Sequence, residues 1–484
     1  MVGNNAFNSI LENILIMMNV SKGRKRLILF TTSLAAFQTP YNSTVLSFIT
    51  PVLGRYFHVP LDVLIYVPII YLIPLPTLMI TLGRLSDIYG RVRMFRVGFI
   101  LFLIGSILGS VAPNIYALII ASLIMGFGSS ILSPGSAAIV SQVFPEGERG
   151  FALGINAMAV YLGLTSAPFF GGLITQFLGW RFVLIITTIL TAIGLAISWF
   201  SMEGIELPRR AVKVDYLGAL TFTLAVLSVV IYLILSAVSG WLYYIYLLIV
   251  GIASLLAFIL IERRVINPML DLSLFTRNIS FMAGNITALL NYISTYSIPF
   301  LFSLYLQAML GYNPFTAGLI LVSEPVFMAI LSPISGKLSD KYGAREIAAL
   351  GMGLIGVAFV MLLLLNIKYA IYIAMSLIVL GVGFGFFSAP NTNSVMGSVT
   401  ADKYGVASGV LGTMRFMGQL LSITVASAIL VSYLGRYASL YLFTGIMMSN
   451  ISIYQSFITG LRIVLIISAV LSFIGVYTSL LREK

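Results

Sequence analysis

Apolar stretches long enough to cross a bilayer recur along the whole chain, and the gaps between them are short. They fall at about 27–53, 61–82, 94–113, 115–141, 151–177, 181–201, 216–237, 241–262, 279–310, 314–336, 346–366, 369–396, 404–433 and 457–481. A spanning helix needs about 20 apolar residues, so fourteen such stretches use about 290 of the 484 positions and leave no room for a large soluble domain. Charge is correspondingly scarce. Lys, Arg, Asp and Glu make up 9% of the chain, where a soluble protein carries about a quarter. Water is not the main solvent of this polypeptide, and the expected fold class is an all-α polytopic membrane protein.

The 27 Lys+Arg outnumber the 15 Asp+Glu, giving a formal charge of +12. A nucleic-acid surface would gather the cations on one folded face, whereas here they punctuate the gaps between apolar runs. If the N-terminus is cytoplasmic, the inner gaps and both termini hold 21 of the 27 cations, among them Arg84, Arg93, Arg149, Arg209, Arg210, Lys213, Lys403 and Lys484. The outer gaps keep Arg55, Arg181, Lys368, Arg436 and Arg462, and Arg415 lies inside a span. This asymmetry is the positive-inside pattern, and it places a multi-pass protein in the cell membrane with both termini in the cytoplasm. Residues 1–26 end in a basic run after a weak apolar stretch, the reverse of a signal peptide, and read as a cytoplasmic arm. The stretch 434–456 is compatible with an outer interfacial segment that does not span.

The chain has no Cys and a single His, His58, which excludes disulfides, thiol nucleophiles and Cys-ligated zinc. A phosphate-cradling loop is missing too, since Gly336-Lys337 is followed by Leu338. The expectations are no enzymatic activity, no metal, no cofactor, and no nucleotide or nucleic-acid partner.

An internal repeat organises the spans. GRLSDIYGR at 83–91 returns as GKLSDKYGA at 336–344, six of nine residues being identical. Gly150, Ala152, Gly154 and Gly163 recur 255 positions later as Gly405, Ala407, Gly409 and Gly418, and Gly126, Gly128, Ser133 and Val140 recur in the same register as Gly381, Gly383, Ser388 and Val395. Three blocks in nearly one register argue for duplication. The expected domains are the arm 1–26, a six-helix bundle at 27–201, a linker at 202–278 with two inserted central helices, and a second six-helix bundle at 279–484. Two like halves point to a site at their interface near the midplane, reached alternately from either side.

With these motifs in view, the chain resembles the fourteen-helix drug:H⁺ antiporter branch of the major facilitator superfamily, over nearly its whole length. GRLSDIYGR matches the signature loop between the second and third helices, through Gly83, Asp87, Gly90 and Arg91; Gly336, Asp340, Gly343 and Arg345 occupy the second copy. FPEGERGFALG at 144–154, PMLDLSLFTRNISF at 268–281 and LYLQAMLGYNPFTAGL at 304–319 look like stretches typical of this branch. The fifth span carries Gly154, Gly163, Ala167, Pro168, Gly171 and Gly172, the antiporter motif with one Gly replaced by Ala. Small residues at 163, 167 and 171 share a face that admits a close neighbour, and Pro168 kinks the helix. Gly83 would permit a tight approach, while Asp87, faced by Arg91 and Arg93, would control a gate; packing and topology alone are the alternative for Gly83, Gly90, Arg93 and Arg345. The resemblance implies alternating-access export of a hydrophobic or drug-like organic compound, with protons and the lipid bilayer as the other partners. A facilitator or importer of one organic solute is the alternative.

The chain departs from that branch in its charges. The family's first helix usually carries an Asp where this sequence has Asn42, and its fourth an Arg where this sequence has Ser122. Losing both members of a pair avoids an uncompensated membrane charge. Fourteen of the fifteen carboxylates fall in gaps or at span ends, and Glu324, just before Pro325, is the one mid-span acid. An acid placed there is costly and is a proton-coupling candidate, with Arg415 as a tuning cation. The alternatives are a protonated Glu324 bonded to carbonyls freed by Pro325, or an ion pair with Arg415. The resemblance makes the first, fourth, ninth and twelfth spans line the cavity, with Gln38, Asn42, Ser47, Asn291, Tyr292, Tyr296, Gln307, Asn391 and Asn393 as candidates. Helix–helix hydrogen bonding is the competing role for these polar groups.

Overall fold

The computed structural model describes residues 21–205, 215–265, 268–270, 272–400, 404–441 and 451–482, without the side chains of 146, 147, 340, 404, 405, 436–441 and 451. The arm before residue 21, Arg209, Arg210, Lys213, Asp271, Lys403, Lys484 and residues 442–450 therefore lie outside the described residues. Helix is the regular structure throughout. In a bilayer core no water completes the backbone hydrogen bonds, and a helix satisfies them within one segment.

The first helices are α1 (Lys22–Phe48), the short α2 (Thr50–Phe57), α3 (Leu61–Leu64) and α4 (Tyr66–Leu72), then α5 (Pro74–Tyr89), α6 (Arg91–Ser110), α7 (Ile115–Val143), α8 (Glu146–Phe177) and α9 (Trp180–Ser201). A pair follows, α10 (Tyr216–Ser239) and α11 (Ile245–Glu262), then α12 (Leu272–Arg277), α13 (Ile279–Thr295) and α14 (Ile298–Leu304) with a π turn at Tyr305–Met309. The chain continues as α15 (Pro314–Leu321), α16 (Ser323–Tyr342), α17 (Ala344–Leu364), α18 (Ala370–Gly397), α19 (Tyr404–Tyr441) and α20 (Ile451–Leu480).

Among the described residues, 12 helices are long and apolar enough to cross a membrane, where the sequence suggested fourteen. The two stretches that fall short are α1 and 279–310. Polar residues dilute α1: Gln38, Thr39, Asn42, Ser43, Thr44 and Ser47 are all buried. The 279–310 stretch is divided into the 17 residues of α13, the seven of α14 and the five-residue π turn. Helices that face protein need no continuous apolar surface, so hydropathy under-reports them.

The repeat is visible in the packing. α6 packs on α7, α1 on α8, α6 on α9, α1 on α9, α1 on α7 and α5 on α7; the same pairings return as α17 on α18, α13 on α19, α17 on α20, α13 on α20, α13 on α18 and α16 on α18. Repeated glycines make equivalent crossings. A Cβ at Gly128 would lie 2.7 Å from the Gly98 carbonyl oxygen, and one at Gly383 would lie 2.8 Å from that of Gly351. α10 and α11 pack chiefly on each other, and only 17% of the α11 apolar window is buried, so this hairpin sits at the rim.

The two copies of the loop motif lie at one end of the bundle. Gly90 (φ 104°) ends α5 and Gly343 (φ 96°) ends α16, each in a conformation that favours glycine. Arg91 Nε donates to Asp87 Oδ1 at 2.7 Å. Gly83 does not make the tight approach expected of it, because a Cβ there would meet nothing within 4 Å. At Gly336 the nearest atom, the Ala389 Cβ, would be at an ordinary 3.7 Å. Asp340 lies on α16, with its side chain outside the described residues. Arg345 Nη1 donates to the carbonyl oxygen of Arg482 at 3.3 Å.

Candidate functional site

The α15–α16 break at Val322 places Glu324 in the first turn of α16. Pro325 contributes no N–H, so the helical ladder is interrupted beside the acid. Two neighbours fix the break. Thr165 on α8 donates its hydroxyl to the Pro325 carbonyl at 3.1 Å, and Gly381 on α18 makes room for the Glu324 carbonyl, which a Cβ there would overlap.

The acid lines a cavity of about 50 Å³ with Thr44 of α1, Pro168 of α8, Tyr292 of α13, Tyr296 and Phe384 of α18. That volume holds a few waters at most and no organic substrate. Tyr292 meets Phe384 edge to face, with centroids 5.4 Å apart. Among the described residues the Glu324 carboxyl has no ion pair, the two salt bridges being Lys25–Glu148 and Asp87–Arg91. Arg415 makes no ion pair with it: its Nη2 donates to Thr392 Oγ1 at 2.7 Å.

Of the candidate cavity residues, Tyr292 and Tyr296 line this space with Glu324. The others sit elsewhere. Gln38 Nε2 donates to Thr191 Oγ1 at 2.9 Å, and Asn42 Nδ2 donates to the Gln38 carbonyl at 2.9 Å while Asn42 Oδ1 accepts from the Thr187 hydroxyl at 3.2 Å. Ser47 bonds back to the Ser43 carbonyl, Asn291 Nδ2 donates to Met352 Sδ at 3.4 Å, and Asn393 Nδ2 donates to Ser339 Oγ at 3.3 Å. Gln307 Nε2 donates to Ser303 Oγ at 2.8 Å, and Asn391 Oδ1 accepts from Arg482 Nη2 at 2.5 Å. Ser122 bonds its own helix at the Leu118 carbonyl. Thr44, Thr295 and Phe384 line the cavity without having been singled out; only the rotation of α1, α13 and α18 about their axes identifies them.

Asn42 fills its place by donating to one group and accepting from another. Asn42→Asp would replace the donor with a charged acceptor facing the Gln38 carbonyl, a loss of about 1–3 kcal/mol or more for a buried unpaired group. The variant is expected to unfold at a clearly lower temperature in detergent, and an unchanged midpoint would show that the site accommodates the charge.

The fifth-span motif serves two neighbours. Gly163 packs on the Phe37 carbonyl and Gly171 on Val45, both of α1, with Ala167 fully buried between them. Gly172 and Pro168 face the other set of helices: a Cβ at Gly172 would lie 2.5 Å from the Pro314 carbonyl oxygen, and one at Gly318 of α15 would overlap the Pro168 carbonyl. Gly154 meets nothing within 4 Å. The bundle end opposite the loop motifs is closed further by Arg55, which donates to the Gln307 carbonyl, and by Ser303, which donates to that of Phe48. Burial at this seam lowers the pKa of the Arg55 guanidinium.

Arg482, at the loop-motif end, is 1% exposed, and its Nε and Nη1 have no hydrogen-bond partner among the described residues; burial pushes its guanidinium down to about 10. An apolar side chain of similar length in place of a poorly compensated buried charge is neutral or stabilising by up to about 4 kcal/mol. Arg482→Met is therefore expected to hold or raise the thermal midpoint, and a fall of several degrees would contradict this. A larger hollow of about 670 Å³ opens nearby between Arg277, Arg345 and Glu346. It is open to the surface, where water screens charge, so the intramembrane carboxyl is the more informative group.

Comparison with known proteins decides the family. The model of the Major Facilitator Superfamily matches residues 32–423 and, in an overlapping second match, 284–482. The chain belongs to the Major Facilitator Superfamily. It is 29% identical over 396 residues to the riboflavin transporter RibZ of Clostridioides difficile, covering 81% of this chain and 85% of that one. It is 30% identical over 411 residues to the multidrug resistance protein Stp of Mycobacterium tuberculosis, covering 84% and 76%. The quinolone resistance protein NorB of Staphylococcus aureus is 27% identical over 352 residues, covering 72% and 76%. A solved peptide transporter, POT, shares the fold with a TM-score of 0.65 at 17% identity, covering 94% of this chain and 96% of that one. As a superfamily member the chain is a multi-pass membrane transporter, related to multidrug efflux proteins.

Proposed function

We propose that this chain is a fourteen-helix secondary transporter that exports hydrophobic or drug-like organic compounds from the cytoplasm by proton antiport, with Glu324 as the group that loads and releases the proton. α1 and the α13–α14 segment complete the fourteen crossings, α10 and α11 are the inserted pair, and the flanking six-helix bundles rock about the midplane. The observation that carries this reading is the single unpaired carboxyl at a cavity between α1, α8, α13 and α16. A membrane-embedded acid is costly and is retained where it has work to do. Tyr292, Tyr296 and Phe384 give the cavity the aromatic walls that suit a flat, weakly polar substrate. The named roles of Stp and NorB in resistance favour export. The seam of α8 and α15 is then the outer gate, and Asp87–Arg91, with Asp340 and Arg345, belongs to the inner one.

The riboflavin transporter among the relatives, together with Asn42 and Ser122 where the antiporter branch usually has charges, favours a second reading, uncoupled movement of one organic solute. Reconstitution into liposomes with an imposed pH difference separates the two. Antiport predicts that organic cations and neutral drugs accumulate against their gradient with proton counterflow. Saturable flux of a compound without proton movement would establish the facilitator reading.

A further inference from the structure

Asp215 and Glu262 read from the sequence as loop and span-end charges, yet they are only 8% and 4% exposed. Asp215 caps α10, its Oδ1 accepting from the Gly218 N–H at 2.8 Å. Glu262 is the last residue of α11, and its two oxygens accept from the N–H groups of Met269 and Leu270, each at 3.1 Å. Asp215 Oδ2 is buried and has no hydrogen-bond partner among the described residues. A Cβ built on Gly218 would overlap Asp215 Oδ2 and lie 2.9 Å from Glu262 Oε1, so both carboxyl groups border one point that only glycine leaves free.

Among the described residues, Arg84 of α5 is the one cation whose field reaches the pair. Its guanidinium also donates to the Pro268 carbonyl. Arg263 and Arg264 follow Glu262 but are exposed, and Arg209, Arg210, Lys213 and Asp271 lie outside the described residues. Two buried carboxylates this close cannot both ionise cheaply, and a buried acceptor without a donor is a further defect. One proton held between the two carboxyl groups removes both problems, because it cancels a charge and supplies a donor.

We propose that Asp215 and Glu262 share one proton and form a second proton-binding site, at the foot of the α10–α11 hairpin and separate from Glu324. The site is tied to α5. Glu262 holds the segment 268–270, and α5 holds the same segment through Arg84 and through Thr81, whose hydroxyl lies 3.5 Å from Met269 Sδ. Met269 is anchored with Ala219 of α10 and Phe258 of α11 in a small apolar cluster. Loss of the proton sets two anions against each other, separates the feet of α10 and α11, and loosens the strap on the helix that ends in GRLSDIYGR. The pair titrates as a unit.

Infrared difference spectroscopy on the full chain carrying Glu324→Gln, which silences the midplane acid, tests this directly. The expected result is a protonated-carboxyl stretch near neutral pH that disappears when Asp215→Asn or Glu262→Gln is added. Persistence of the band in both variants, or its absence in the Glu324→Gln parent, would overturn the proposal. Asp215→Asn keeps the cap and mimics the protonated state, so it also supports a second readout that does not depend on Glu262→Gln folding. Amide exchange at Met269 and Leu270 is expected to accelerate with pH at least tenfold more in the parent than in Asp215→Asn. The same pH course in both would equally sink the idea. Neither readout involves antiport, so failure here is distinct from failure of the role assigned to Glu324.

Discussion

Glu324→Gln, reconstituted and driven by a pH difference, is expected to lose uphill transport while keeping downhill exchange. With no membrane potential and one coupled proton, a gradient of about two pH units supports roughly a 100-fold substrate ratio, equivalent to about 2.7 kcal/mol. The glutamine is expected to bring that ratio to about one. Its shape matches the acid, and the carboxyl has no ion pair to lose, so the midpoint of thermal unfolding is expected to stay within a few degrees. This separates coupling from folding. Glu324→Asp keeps an ionisable group in the same cavity and is expected to retain part of the ratio. If the glutamine variant still concentrates substrate, the coupling proton travels elsewhere and the midplane acid is structural.

The second large effect is expected at the seam of α8 and α15. Gly318→Ala sets a methyl against the Pro168 carbonyl, and Gly172→Ala sets one 2.5 Å from the Pro314 carbonyl oxygen. Both neighbours are backbone, which cannot swing aside, so the helices must part. Overpacking costs about 1–3 kcal/mol, a factor of roughly 5 to 150 against the conformation closed at this end. Because the chain has no Cys, one cysteine in place of Phe315 reports the opening through its labelling rate. Phe315 is packed near Phe169 and Phe177, with centroids 6.2 and 6.3 Å away. Labelling is expected to quicken about tenfold or more in either alanine variant, with substrate flux falling in parallel. Equal labelling with and without the alanine would mean that this seam stays closed regardless of the methyl.

Periodicity and repetition identified small residues better than polar ones. Gly128 and Gly383, related by the repeat, make the same close crossing, because only the smallest side chain allows two helix backbones that near. Gly163 and Gly171 likewise meet α1, on the shared face their spacing defines. Polar residues were harder to place. Gln38, Asn42, Asn291, Gln307 and Asn391 each make a hydrogen bond outside the lining of the Glu324 cavity, whereas Tyr292 and Tyr296 line it. A buried amide bonds to whichever neighbour the helix rotation presents, and one sequence carries no signal for that rotation.

The sequence by itself determined that the chain is helical, crosses a membrane many times and is internally duplicated, because a solvent without hydrogen bonds leaves the backbone no other local choice. It also singled out Glu324, since no other acid falls inside an apolar run. Only the tertiary structure decided which further charges leave water. Asp215 and Glu262 sit at span ends where sequence reads solvent, yet both are buried, Glu262 where residues 268–270 fold back onto it and Asp215 at the cap of α10. Burial of a charge at the end of a helix depends on what returns to cover it, and that is a property of the assembled helices.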